Sequence, residues 1–148
     1  MPSLMKPPQA EPAGHPTYSE IFPCEPSTAE TGRRLVRGVL AMWQLDDLAD
    51  RAELVITELI ANASRHTTCP EIRLVVGRPS ATRVRVGIVD EEPGRLPTLG
   101  HADVEDESGR GLLLISAVAD RWGCDLQGVG RCLRAKEVWA ELCTEGDA

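Results

Sequence analysis

The stretch "ELVITELIANASRH", Glu53 to His66, decides the fold. At 3.6 residues per turn, Val55, Ile56, Leu59, Ile60 and Ala63 make one apolar arc, while Glu53, Thr57, Ala61 and Ser64 lie opposite. That pattern predicts an amphipathic core helix. Three polar residues interrupt it: Asn62 and His66 fall inside the arc, beside Val55 and Leu59, and Glu58 sits at its edge. A buried amide or carboxylate without partners costs on the order of 1–3 kcal/mol or more. Something must satisfy them.

Working outward, "DDLADRAELVITELIANASRH" is one helix opened by Asp46 or Asp47 as its cap. Before it, "STAETGRRLVRGVLAMW" carries a capping box, Ser27 with Glu30, and then Leu35, Val36, Val39, Leu40 and Trp43 at helical spacing. Earlier still, "TYSEIFPC" alternates as an edge strand ended by Pro23. After Pro70 the period changes from 3.6 to 2. Ile72, Leu74, Val76 and then Val84, Val86, Ile88 alternate with polar neighbours on two strands joined by the turn "RPSA". A glycine- and proline-bearing acidic loop follows. "SGRGLLLISAVADRWG" returns to helix, and "CDLQ" and "RCLRAKEVWAEL" flank "GVG" as a closing hairpin. The order β-α-α-β-β-loop-α-β-β predicts an α+β fold, a two-layer sandwich of helices on one face of a mixed, largely antiparallel sheet.

A chain of 148 residues fits one domain with a real core. Seven of the eleven prolines precede Ser27, and residues 1–16 lack apolar periodicity, so that segment is expected to be a disordered arm. A net charge of −7 argues against a nucleic-acid surface. Six acids against Arg95 alone lie between Glu91 and Ser108, which by itself describes a solvated acidic loop. The longest apolar run, "LLLISAVA", falls far short of the ~20 residues that span a bilayer. With no secretory apolar stretch at the N-terminus, a cytoplasmic protein is expected. The five cysteines, Cys24, Cys69, Cys124, Cys132 and Cys143, show no C-x-x-C spacing and suit reduced thiols. Cys124 and Cys132 flank the second hairpin tip, close enough in sequence to meet.

Two further stretches bear on chemistry. In "ESGRGLLLI", Gly109, Arg110 and Gly111 precede Leu112 and a strongly apolar helix, and helix starts offer backbone N–H groups to anions, phosphate in particular. A loop needing positive φ at Gly109 is the plainer alternative. Asp90 ends an apolar strand before "EEPG", where a carboxylate can accept a hydrogen bond from a buried ligand or start a turn.

Taken in order, these features resemble the GHKL ATPase superfamily, and within it the bacterial anti-sigma-factor serine/threonine kinases and their small single-domain relatives. The resemblance spans Tyr18 to Leu142. It implies a histidine kinase-like ATP-binding domain over residues 17–143, with a tail at 144–148. "ELIANASRH" resembles the first motif of that family. The resemblance then implies Asn62 as a ligand of Mg²⁺, Glu58 as the catalytic base, and His66 as a pocket-lining residue, unless His66 is a hydrogen-bonded core histidine. It implies that Asp90 holds the adenine amino group, that Gly109, Arg110, Gly111 and Leu112 cradle phosphate, and that residues 91–108 are a lid.

The implied cofactors are ATP and Mg²⁺. The implied activity is transfer of the γ-phosphoryl to a serine or threonine of a partner protein. A sigma factor or an anti-sigma antagonist would be that partner, with room for a homodimer and no contact with nucleic acid or membrane. Two departures stand out. The family usually has glycine where this chain has Glu92, and its last motif reads Gly-Lys-Thr before Val-Trp, where this chain reads "AKEVW". The threonine implied for holding adenine is replaced by Glu137, which strand alternation turns away from the face shared by Val138 and Leu142. These departures favour the alternative of a non-catalytic binding module on the same fold, with weak or no nucleotide binding.

Overall fold

The computed structural model describes residues 9–10, 16–66, 70–91, 107–129 and 132–144. Six strands, β1 (Gln9–Ala10), β2 (Pro16–Pro23), β3 (Glu71–Ser80), β4 (Arg83–Asp90), β5 (Arg121–Val129) and β6 (Cys132–Cys143), form one sheet in the order β1-β2-β3-β4-β6-β5. Every pairing among them is antiparallel. Helices α1 (Thr28–Met42), α2 (Ala49–His66) and α3 (Glu107–Val118) cover one face, giving the α+β two-layer sandwich that the element order predicts.

Period-2 alternation builds the shared core. Ile72, Leu74 and Val76 of β3, Val84, Val86 and Ile88 of β4, and Val138, Ala140 and Leu142 of β6 all turn to the helices. Against them lie Leu35, Val36, Val39 and Leu40 of α1, and Val55, Ile56, Leu59, Ile60 and Ala63 of α2, the whole apolar arc of the opening stretch. Gly32 lets α1 sit this close: a Cβ there would meet Ile60 Cδ1 at 2.8 Å and Leu74 Cδ1 at 3.3 Å. Across the two helices, Arg37 pairs with Glu53 and with Asp50, and Arg33 donates to Thr57 Oγ1 at 3.1 Å.

The structure departs from the sequence reading at element ends. The capping box does not form: Ser27 is already in the right-handed helical region, its hydroxyl donates to Glu25 at 2.6 Å, and Glu30 pairs with Arg34 instead. Thr28 Oγ1, donating to the Pro23 carbonyl at 2.6 Å, secures the chain there. α1 ends with Gln44 at φ 60, Gln44 N–H on Ala41 O at 3.1 Å and Leu45 N–H on Leu40 O at 2.8 Å, the Schellman pattern without its usual glycine. A 3₁₀ turn over Asp46–Leu48 follows, so α2 begins at Ala49 and neither aspartate caps it. β3 runs through "RPSA" to Ser80 by way of a bulge after Gly77, which moves the turn to Ala81 and Thr82. Within the segment expected to be an arm, Gln9 and Ala10 pair with Thr17 and Pro16 as a short edge strand.

Candidate functional site

Arg51, near the start of α2, fixes how the helices lie on the sheet. Its guanidinium donates to the Cys143 carbonyl at 2.7 Å, at the end of β6, and to the Val118 carbonyl at 3.3 Å, at the end of α3. Cys143 pairs with Arg83 at the start of β4, and its N–H donates to Asp120 at 2.7 Å. One end of the sandwich therefore holds the start of α2, the start of β4, the end of β6 and the end of α3. The opposite end must hold the rest of each. From Arg51 to Asn62, α2 advances about 16 Å at 1.5 Å per residue, and β4 advances roughly 23 Å from Arg83 to Asp90. Since α2 packs along β4, β6 and α3, this geometry gathers the second half of α2, Asp90, the beginning of β6 and the N-terminal turn of α3 at one end.

Asn62 is 6% exposed, and its Oδ1 is buried without a hydrogen-bond partner among the described residues. Glu58, one turn earlier, is half-buried. His66 ends α2, and its side chain lies outside the described residues. Gly109, Arg110, Gly111 and Leu112 fall within α3, which begins at Glu107 rather than after the glycines. Their helical backbone removes the reading of Gly109 as a positive-φ loop residue. Their side chains, Glu92 and residues 92–106 of the acidic segment lie outside the described residues.

Asp90 is 3% exposed on the helix-facing side of β4. Directly across the ladder stands Lys136 of β6, 2% exposed, with its Nζ 3.9 Å from Asp90 Oδ1. Sequence reading passed over Lys136, although its alternation with Val138 signals the same inward face. A charge beside a strand of apolar residues reads as surface unless alternation is followed through it.

The same alternation corrects the expected cost of the departures at Ala135 and Glu137. Both side chains point to the other face of the sheet, away from Asp90. Ala135 lines an outer cleft with Ile21, Arg73 and Val89. Glu137, 8% exposed, packs over Gly87 and pairs with Arg85 at 3.3 Å. Arg85 also pairs with Asp125 at 3.0 Å and stacks 4.2 Å over the Trp139 ring, whose other contact is Arg121 at 5.5 Å. A threonine at position 137 would join that outer face and could not reach a base held by Asp90.

The β5–β6 ladder holds Cys124 and Cys132 apart. Register places Cys124 opposite Val138 and Cys132 opposite Val129, five residues further along β5 or roughly 16 Å. Cys124 is a half-buried free thiol whose pKa burial pushes up, with Lys136 acting in the opposite direction. Among the described residues no cluster of three or more His, Cys, Asp or Glu could hold a metal, and no helix is long and apolar enough to cross a membrane. Among the described residues the one fitted to a metal is Asn62: a buried amide oxygen with no partner among them suits Mg²⁺, which takes hard oxygen ligands and fills most positions with water and phosphate oxygens.

An antiparallel sheet backed by helices on one face, with a buried acid on a central strand, an inward amide four residues after a carboxylate, and a glycine-bearing helix start at the same end, defines a nucleotide-binding two-layer sandwich. The sequence profile of the histidine kinase-like ATPase domain matches residues 22–136, and the chain belongs to that family. Membership implies ATP binding. The uncharacterized protein SCO4941 of Streptomyces coelicolor is 42% identical over 86 residues, covering 55% of this chain and 79% of that protein.

Proposed function

We propose that this protein is a cytoplasmic Mg-ATP-dependent regulator that transfers the γ-phosphoryl group to a serine or threonine of a small partner protein and controls transcription by sequestering a sigma factor. The observation that carries this reading is the buried, unpaired Oδ1 of Asn62, one helical turn after Glu58. An acceptor left unpaired on a core helix is explained if it faces a metal ion. Asn62 would hold Mg²⁺ there, and the ion would supply positive charge against the phosphates. Glu58 would accept the proton of the attacking hydroxyl, Asp90 would hold the adenine amino group, and the start of α3, with Gly109 in its first turn, would face the phosphates. Little covalent work falls to the protein, since phosphoryl transfer is chiefly positioning and charge stabilisation.

The alternative, a binding module without chemistry, takes its support from Glu92, Ala135 and Glu137. Ala135 and Glu137 belong to the outer face, so neither obstructs a base beside Asp90, and Glu92 lies outside the described residues. Titration calorimetry with ATP, in the presence and absence of Mg²⁺, tests the reading: Mg²⁺-dependent binding is expected, and the absence of ATP binding would leave the binding module.

A further inference from the structure

We infer that the outer face of the sheet between β2 and β4 docks an extended acidic segment of a partner protein, with Arg73 and Arg78 taking its carboxylates. Charge is unevenly matched across that face. Two adjoining clefts, of about 380 and 310 Å³, share Arg73 and Val89 in their lining. The larger one is lined by three arginines and two glutamates. Both glutamates are engaged from the β4 and β5 side: Glu137 pairs with Arg85 at 3.3 Å, and Glu141 lies 3.7 Å from Arg83 and from Arg121. Arg85 is also held by Asp125 and the Trp139 ring. Two guanidinium groups are left over. Arg73 is exposed and makes no ion pair or hydrogen bond among the described residues. Arg78 is half-buried; its Nη2 donates to the Ala81 carbonyl at 2.9 Å, while its Nε is buried without a hydrogen-bond partner among the described residues.

Shape selects a chain over a small anion. β3 runs through both clefts, from Glu71 in the smaller to Pro79 in the larger, a span of roughly 26 Å at about 3.3 Å per residue. An extended peptide of about eight residues covers that length, and a single carboxylate or phosphate does not. The floor is small and apolar, with Val75, Gly77 and Val89, and Ile21 is 54% exposed at its β2 side. A peptide backbone can lie close there, with its carboxylates on guanidinium forks that suit them. The chain carries a net charge of −7, so an acidic ligand is repelled by the molecule as a whole and is held only where local cations are unmatched. Nucleic acid, charged at every phosphate, would meet Glu71 and Glu91 in the same groove. A peptide can instead set uncharged residues against them. The groove lies on the opposite face of the sheet from Asp90, so docking there is independent of nucleotide.

The test is fluorescence anisotropy on the full chain with a labelled peptide of alternating glutamate and alanine, about eight residues long, beside lysine–alanine and glutamine–alanine peptides of the same length. The parent should bind the glutamate peptide, more weakly as salt screens the contact, and neither of the others. Arg73→Gln and Arg78→Gln should each weaken binding about three- to tenfold, the range of one partly exposed charge-assisted contact, and the double variant should abolish it. Arg34→Gln removes the same charge from the exposed side of α1 and should leave the affinity unchanged. Because Arg73 is exposed, its variant keeps the test decisive even if Arg78→Gln fails to fold. A parent that does not bind the glutamate peptide overturns the inference. Equal weakening by Arg34→Gln would reduce the effect to net charge and overturn it as well. Displacement of the peptide by Mg-ATP would place it at the nucleotide site, and equal or tighter binding of an oligothymidylate of the same charge would make the groove a nucleic-acid surface; either result overturns the docking of an acidic segment.

Discussion

Replacing Asn62 by leucine separates the cost of the site from its use. The two side chains share the same branched shape and heavy-atom count, so the substitution exchanges an amide for methyl groups with little change in packing. Asn62 Oδ1 is buried with no partner among the described residues, and an unsatisfied buried acceptor costs about 1–3 kcal/mol. Asn62→Leu should therefore raise the stability of the free protein by up to that amount. For a domain of this size, that is an increase in melting temperature of roughly 3–9 °C. The response to ligand should move the other way. At ATP and Mg²⁺ concentrations one hundred times Kd, the parent gains about 2.7 kcal/mol, whereas a variant without the amide ligand should gain little. Melting curves of both proteins, with and without Mg-ATP, give all four numbers in one calorimetric series. The reasoning fails if Asn62→Leu lowers the stability of the free protein by more than ~1 kcal/mol, because the amide would then have a structural partner. It also fails if the variant retains the full nucleotide-induced shift.

Four further outcomes are expected. Glu58→Gln should retain the fold and ATP binding but lose phosphoryl transfer to the partner, since an amide cannot accept the proton; transfer at the parental rate would remove Glu58 from the chemistry. The double substitution Ala135→Gly with Glu137→Thr should leave ATP affinity within about twofold of the parent, because both side chains belong to the outer face; a hundredfold change in calorimetry would contradict the register. Gly123→Ala should cost about 1–3 kcal/mol in denaturant unfolding, because its Cβ would meet the Trp139 ring at 2.8 Å where two arginines hold that ring; an unchanged midpoint would show that the ring moves freely. Cys124, whose pKa lies above the ordinary thiol value through burial, should have a smaller thiolate fraction at any given pH than in the unfolded chain. Its alkylation, mapped by mass spectrometry, should lag at neutral pH and quicken as pH rises through the folded pKa, and folding stability from this group should decline above the unfolded pKa.

Much of the fold was legible because its signals are periodic. The arc from Val55 to Ala63 and the alternation of Ile72–Val76 and Val84–Ile88 each follow from one repeating geometry, and every one of those apolar positions is buried. Element ends were less legible because they depend on single hydrogen bonds. Gln44 ends α1 in a conformation usually given to glycine, and nothing in "MWQLDD" marks it. Ser27 and Glu30 have the spacing of a capping box, yet Glu25 and Arg34 compete for them from the neighbouring chain and turn. Proline at 79 signals a turn, but a bulge lets β3 continue past it. For the candidate site, Glu58, Asn62 and Asp90 could be noticed because they break an apolar pattern. Lys136 breaks one equally, but it lies in a charged stretch, "RAKEVWAEL", where a single lysine attracts no notice.

The two faces of the sheet differ in how their polar groups are matched. On the outer face of β4, β6 and β5, polar groups are matched locally: Arg85 reaches Asp125, Glu137 and the Trp139 ring, and Glu141 lies near Arg83 and Arg121. Even there the indole Nε1 of Trp139 has no hydrogen-bond partner among the described residues, but its ring lies beside the guanidinium groups of Arg85 and Arg121. Such a network can hold β4, β5 and β6 in register with no ligand. The inner face is apolar along most of its length, and the buried amide and charged side chains on it among the described residues, Asn62, Asp90 and Lys136, fall at one end. A core that needed only stability could fill those three positions with apolar residues of similar volume at little cost. An amide oxygen unpaired among the described residues and a desolvated charge pair carry a cost that is concentrated where α2, β4 and the start of α3 converge. A ligand carrying both a purine edge and metal-bound phosphates would engage Asp90 and Asn62 together. On that account the pocket should gain stability from the whole nucleotide well beyond the sum of the gains from adenosine and from Mg-triphosphate added separately.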